Sequence, residues 1–363
     1  MKKILFITSW LDFSDGVANV LKSLVNELSA RDVDVTIYAL YRVNPSFSSG
    51  IDSRVHIRKK FPVYFRGLTR LADFFGRFLA RRDKLLRNES FDVIVSFEKR
   101  LASLMGAYCV PPNRSVRKIA VAHGWDYGNC KILDRFEKTI AVSEDIAVYL
   151  RKKVDFPERI VHVVSIYDFS HVEELSNAPL ESSFLDKIRG HFVFCSVASL
   201  AKRKRFDRLL RAFSTVCRQK KDVLLLIVGD GPEKNKLIAL SKKLGVEKQV
   251  LFLGRRSNPY PFIKISNCFV CSSDWEGLST SCVEASLLHK PIVTTDVCGS
   301  SEIVRCPDIG IVTSKTSESL AQGMLLIYES PRFSGDVFDL ANKKWDKNTN
   351  FEEYLHYLFP FGA

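Results

Sequence analysis

Short apolar runs alternate with amphipathic stretches along most of this chain. Residues 3–8 (KILFIT) form an apolar run of the kind covered on both faces of a parallel sheet. After a polar loop, Val17, Val20, Leu21, Leu24, Val25 and Leu28 recur at helical spacing, and residues 33–40 return as a strand. That pattern predicts a βαβ unit, with its first loop at the carboxyl end of the strand, where open α/β sheets bind ligands. Further strands are expected at 91–96 and 117–122, and 140–144 reads as a short strand entering a helix capped by Ser143. Residues 170–189 are polar, contain Pro179 and read as a linker. A second alternation follows. Strands are expected at 191–197, 223–228, 250–254, 268–272, 292–295 and 310–312, with helices near 209–213 and from Thr280, taken as an N-cap. Residues 345–359 read as a terminal helix.

A length of 363 residues with 46% apolar content suits two domains with cores of ordinary size. The expected division is 1–169, a linker at 170–189, 190–340, and a terminal helix at 341–363 that packs back on the first domain. Nine cysteines, most in apolar runs, point to buried thiols in a reducing, cytoplasmic compartment. Cys268 and Cys271 form a C-x-x-C, but inside a strand they face opposite sides, with no second pair or histidine cluster beside them. No run of about 18 uncharged apolar residues is long enough to span a membrane.

The net charge of +13 is unevenly placed. From Arg54 to Arg87 eleven basic residues are opposed only by Asp73 and Asp83, and aromatic residues such as Phe61, Tyr64, Phe74 and Phe78 are interleaved. This helix-compatible stretch fits an anionic bilayer, nucleic acid, or a core helix with a solvated basic back.

The candidate chemistry centres on residues 272–302, SSDWEGLSTSCVEASLLHKPIVTTDVCGSSE. Glu276 lies in a loop and Glu284 on the following helix, with seven residues between them. Gly277 lets the backbone bend closely around a ligand, and the amides of Leu278, Ser279, Thr280 and Ser281 stand at a helix start, which favours phosphate. One acid is therefore placed to hold neutral hydroxyls beside an anion site. Elsewhere, Gly16 opens a helix after the first strand, His123 ends a strand before Gly124, and Gly229-Asp230-Gly231-Pro232 ends another. Asp32-Val33-Asp34 sits at the amino end of a strand, away from the ligand edge, and reads as turn chemistry.

The E-x7-E spacing, with Glu276-Gly277-Leu278-Ser279 and with Ala285, Leu288 and Pro291 around the helix, resembles the signature of the retaining family-four glycosyltransferases of the GT-B fold. That resemblance implies an α/β protein of two Rossmann-like domains facing across a cleft, the first for the acceptor and the second for a nucleotide sugar. It implies that Glu276 contacts the donor sugar, that Glu284 binds the ribose, and that the amides of Gly277, Leu278, Ser279 and Thr280 take the diphosphate. Residues 198–207 resemble the family's G-R-L-x-x-x-K-G-F-D, so Lys204 is implied as the phosphate lysine, with Phe206 and Asp207 matching. Ser199 stands where the family has Arg, and Arg205 where it has Gly. A departing diphosphate needs a cation; Arg203 and Arg205 are the substitutes at hand. Gly16 is implied near the diphosphate and acceptor, Gly229 and Gly231 near the nucleotide, Phe252 beside the base, and His123 near the donor sugar.

The expected function is transfer of a hexosyl unit from a UDP- or GDP-sugar, with retention, no metal and no other cofactor. The expected acceptor is a surface polysaccharide, lipopolysaccharide or lipid-linked glycan. An anionic membrane surface through the Arg54 to Arg87 stretch would put the protein peripherally at the inner face, and no nucleic-acid partner is expected. Two alternatives stand beside this: a nucleotide-sugar epimerase on the same fold, and a basic membrane- or nucleic-acid-binding protein with a decayed site.

Overall fold

A computed structural model describes every residue except 12–15, 62–73, 99, 114, 125–128, 168, 305–308, 331–334 and 361–363. The chain forms two compact units, Met1–Tyr167 with Trp345–Ala363, and Asp168–Lys344.

The first unit holds a parallel sheet built from β1 (Lys3–Leu11), β2 (Asp34–Val43), β3 (His56–Lys59), β4 (Val93–Ser96), β5 (Arg117–Ala122), β6 (Lys138–Ala141) and β7 (Ile160–His162). Their order is β3-β2-β1-β4-β5-β6-β7. Phe6 of β1 lies opposite Ile37 of β2 and Val95 of β4. Ile4, Leu5, Phe6 and Ile7 are all fully buried, as an unbroken apolar run between two covering layers requires. The order turns back between β1 and β4, so the sheet has its switch point there. The second unit repeats the plan with β8 (Phe192–Val197), β9 (Val223–Val228), β10 (Val250–Gly254), β11 (Cys268–Cys271), β12 (Ile292–Thr295) and β13 (Gly310–Thr313), in the order β10-β9-β8-β11-β12-β13. Its switch point lies between β8 and β11. The helix Phe206–Gln219 turns Leu209, Leu210, Phe213 and Val216 onto Leu225 and Ile227, and meets Leu320 and Met324 of the helix Ser317–Glu329.

The terminal helix Lys347–Leu358 belongs to the first unit. Trp345 is buried edge-on to Tyr167, with centroids 5.7 Å apart. Lys347 pairs with Glu27 at 2.5 Å. Arg117 donates to the carbonyls of Tyr357 (2.9 Å) and Leu358 (2.8 Å), placing a cation at the negative end of the helix.

Two sequence expectations change. Residues 170–189 are not an open linker: helices Phe169–Ser176 and Ser182–Ile188 form there and pack within the second unit. Phe184 meets Phe262 edge-on at 5.5 Å, and Asn258 Nδ2 donates to the Leu175 carbonyl at 2.8 Å. A few apolar residues anchor short helices whose other faces are polar, and the polar majority hides the pattern. The start of the basic stretch is a strand rather than a helix, because His56–Lys59 pairs in parallel with Thr36–Ala39 of β2, a partner that overrides local preference. Its cationic side chains blunt the sheet edge. Helices follow at Gly76–Arg82 and Lys84–Asn88; residues 62–73, between β3 and these helices, lie outside the described residues. Asp32 has a left-handed φ of 57° in the turn before β2, and lies 3.9 Å from Arg54.

Candidate active site

The carboxyl ends of β8 and β11 are neighbours, so the loops that leave them meet. The turn Lys202–Lys204 after β8 is tied to residues 272–274 after β11 by several bonds. Ser272 Oγ donates to the Lys204 carbonyl (2.9 Å), and the Asp274 amide donates to the Arg203 carbonyl (2.9 Å). Buried Arg208 donates to the Ser272 carbonyl (2.8 Å) and to Asp274 Oδ1 (2.6 Å). Arg205, in the left-handed conformation at φ 50°, holds Asp207 (2.9 Å) and Asp274 (3.1 Å).

Glu276 is buried at this junction. Its Oε1 accepts from Lys204 Nζ (2.5 Å) and Ser273 Oγ (2.5 Å), and its Oε2 from Arg203 Nη1 (3.3 Å). Burial alone would raise this carboxyl, but the charges of Lys204 and Arg203 and the bonds from Lys204 and Ser273 outweigh it and hold it below the usual range. Glu276 is therefore an ionised acid clamped by two cations. A small cleft beside it is lined by Ala198, Lys204, Cys271, Ser273 and Ser281.

The helix Thr280–Leu287 has Ser279, not the expected Thr280, at its N-cap position. The Ser279 hydroxyl makes no capping bond and lies near Ser281 Oγ instead, at 3.4 Å. Among the described residues, the N-cap side chain thus gives the first turn's amides no bond. Glu284, half-buried on this helix, accepts from Tyr260 Oη at 3.2 Å. Burial pushes its carboxyl up to about 7, with the Tyr260 bond opposing.

The glycines after β9 have a steric reason. A Cβ on Gly229, at φ +150°, would stand 1.9 Å from the Ala198 carbonyl oxygen, and one on Gly231 would stand 2.7 Å from that of Leu200. The turn lies flat on the loop that leads to Lys204. Phe252 sits half-buried on β10, and Gly277 and Leu278 are buried between Glu276 and the helix start. The C-x-x-C lies within β11, and its sulfurs make separate contacts, Cys268 with the Phe269 carbonyl (3.6 Å) and Cys271 with Ser273 Oγ (3.7 Å). Among the described residues no group of three or more His, Cys, Asp or Glu is gathered to hold a metal ion.

In the first unit, Gly16 opens the helix Gly16–Ala30. His123 follows β5 with its ring 4.8 Å from that of Phe97. Its Nε2 is buried without a hydrogen-bond partner among the described residues, and burial pushes the imidazole down to about 3, so it is neutral in the ordinary pH range.

Three residues around these sites escaped the sequence reading. Tyr260 and Arg208 bond to residues distant along the chain and leave no periodic trace. Glu98 is the third, at the end of β4, where its carboxylate accepts from Thr8 Oγ1 (3.1 Å) and the Ser9 amide (2.9 Å) and so joins the ends of β1 and β4. Its one signal was an acid directly after an apolar strand.

Two doubly wound parallel sheets, one with an acid and two cations at its switch point, put the candidate site where open α/β sheets bind ligands. Residues 14–165 match the family model described as Glycosyltransferase Family 4, and residues 181–349 match that of Glycosyl transferases group 1. The chain belongs to these glycosyltransferases. Neither the epimerase nor the nucleic-acid reading gains support from these matches.

An uncharacterized glycosyltransferase of Methanocaldococcus jannaschii is 38% identical over 41% of this chain and 37% of its own length. The N-acetylgalactosamine-N,N'-diacetylbacillosaminyl-diphospho-undecaprenol 4-alpha-N-acetylgalactosaminyltransferase of Campylobacter jejuni is 30% identical over 53% of this chain and 52% of its own length. The chain thus spans about half or less of these two relatives. The crystal structure of Anabaena HepE in complex with UDP and glucose shares the fold, with a TM-score of 0.77 at 18% identity over 99% of this chain and 100% of that one.

Proposed function

We propose that this protein transfers a hexosyl unit from a UDP- or GDP-sugar to a hydroxyl of a lipid-linked or surface glycan, with retention and without a metal ion. The observation that carries the reading is Glu276, an ionised buried acid held by Lys204 and Arg203 at the switch point of the second sheet. In this reading the Glu276 carboxylate accepts from hydroxyls of the donor sugar, and Glu284 accepts from the ribose. Lys204 and the amides of Gly277, Leu278, Ser279 and Thr280 stabilise the diphosphate as the bond from the sugar C1 to its oxygen breaks. Gly229, Gly231 and Phe252 border the nucleotide. Gly16 and His123, in the first unit, complete the residues that this reading names. The acceptor oxygen attacks on the same face and its proton passes to the departing diphosphate, so no covalent sugar–enzyme intermediate forms. The name of the Campylobacter jejuni relative, with its diphospho-undecaprenol acceptor, supports a lipid-linked acceptor here.

A membrane partner belongs to the same proposal. No described helix is long and apolar enough to cross a membrane. Phe74, Phe75 and Phe78 are 83%, 47% and 54% exposed, and Arg77, Arg81, Arg82, Lys84 and Arg87 beside them are exposed too. Asp83, the one acid within 74–87, is buried and turned to Tyr38 and Lys60. Aromatic groups among cations, with that acid turned inward, suit an anionic bilayer at the cytoplasmic face.

The test is thermal stability against UDP-, GDP- and ADP-sugars, with and without Mg2+, for wild type and Glu284→Ala. A ligand at about 100 times its dissociation constant stabilises by roughly 2.7 kcal/mol. The expected result is a shift with one nucleotide class, independent of Mg2+ and lost in the variant. No shift with any sugar nucleotide would overturn the proposal.

A further inference from the structure

We infer that Arg203 is the second leaving-group cation of this site, and that it changes partner from Glu276 to the diphosphate when the donor binds. This rests on the transferase reading above. A departing nucleoside diphosphate gains negative charge as the sugar bond breaks. Lys204 offers one positive charge, and Glu276 already neutralises it. A second cation nearby would add to what the helix-start amides supply.

Four basic residues follow one another from Lys202 to Arg205, and their surroundings separate them. Arg205 is committed to Asp207 (2.9 and 3.0 Å) and Asp274 (3.1 and 3.2 Å). Lys202 is an exposed residue at the start of the turn. Arg203 has its guanidinium 4.8 Å from the centre of the Trp275 ring and its Nη1 3.3 Å from Glu276 Oε2. Its own carbonyl accepts from the Asp274 amide, which fixes the turn to the loop that carries Glu276.

Lys204 and Arg203 grip the same carboxylate unequally. The lysine side chain is 14% exposed and 2.5 Å from its oxygen; the arginine is 39% exposed and 3.3 Å away. Arg203 is thus the cation able to leave. The Trp275 face supports the guanidinium plane while the planar fork, suited to two phosphate oxygens at once, turns from carboxylate to phosphate. The exchange frees Glu276 Oε2 to accept from a sugar hydroxyl. Diphosphate binding and the readiness of Glu276 are coupled through one side chain.

The experiment titrates UDP, UMP, GDP and GMP calorimetrically into wild type, Arg203→Gln, Arg203→Lys and Lys202→Gln. The nucleoside diphosphate that wild type binds is expected to bind Arg203→Gln about tenfold to hundredfold more weakly, as for a lost charge-assisted bond. The matching monophosphate should change far less, and Lys202→Gln should behave as wild type. Unchanged diphosphate affinity in Arg203→Gln overturns the inference alone. Equal losses in Arg203→Gln and Lys202→Gln also overturn it, since the effect would then be general charge. If Arg203→Gln does not fold, Arg203→Ala decides by the same comparison, with unchanged diphosphate affinity overturning the inference. Arg203→Lys, which keeps the charge, is expected to retain more affinity than the neutral variant, and a loss equal to that of the neutral variant overturns the role as a cation. Failure of both UDP and GDP to bind wild type overturns the transferase reading first, and this one with it.

Discussion

Lys204 Nζ lies 2.5 Å from Glu276 Oε1 although the two residues stand 72 positions apart. The parallel order of β8 and β11 brings them together, and the bonds from Ser272 and Arg208 keep the two loops in place. Glu276→Gln should therefore keep the fold and lower turnover by at least about 100-fold, the scale of a lost electrostatic contact in a water-poor site. Initial rates at saturating donor, with circular dichroism as the fold control, check this. Wild-type turnover in a folded variant would remove Glu276 from the chemistry.

Glu284 supplies a pH signature. Its carboxyl is raised to about 7 in the native state by burial, against an ordinary value of 4.5. Between those values the unfolded chain is ionised and the native state is not, so rising pH favours unfolding over that window. Glu284→Gln lacks this titration. Its melting temperature should gain on wild type as pH rises from about 4.5 to about 7 and hold that gain above. Parallel melting curves across the range would contradict the raised carboxyl.

Gly229 tests the packing of the two loops. A Cβ there meets the Ala198 carbonyl at 1.9 Å and sits at φ +150°. Gly229→Ala should lose at least about 2 kcal/mol, from backbone strain and the clash. Urea unfolding midpoints would show it; wild-type stability would mean that the turn can move aside.

The exposed Phe74, Phe75 and Phe78 make a membrane prediction. Wild type should float with phosphatidylglycerol vesicles and not with phosphatidylcholine vesicles, and added salt should weaken it. Arg81→Gln with Arg82→Gln should cost about 1 kcal/mol for each charge lost. Equal binding to both vesicle types would end the membrane proposal.

How much of this was legible beforehand depends on how far apart the interacting residues are. β9 and β12 were readable to the residue, because short unbroken apolar or β-branched runs are what a strand covered on both faces requires. Glu276 and Glu284 were readable because both lie on one short loop–helix segment. Tyr260, 24 positions before its partner Glu284, was not. Nor was the commitment of Arg205 to Asp274 or the stacking of Arg203 on Trp275, which tell apart adjacent basic residues that look alike in sequence. The strand His56–Lys59 and the two helices within 169–188 were missed for a related reason, since each draws its stability from a neighbour rather than from its own pattern.

The return of Trp345 and the Lys347–Leu358 helix to the first unit sets an order on how the protein is made. Strands β1 to β7 leave the ribosome early, yet Tyr167 must wait for Trp345, and Arg117 must wait for the carbonyls of Tyr357 and Leu358. The second unit, continuous from Asp168 to Lys344, can close while the first is still open along one side. During synthesis the half that is born first is the half that is finished last.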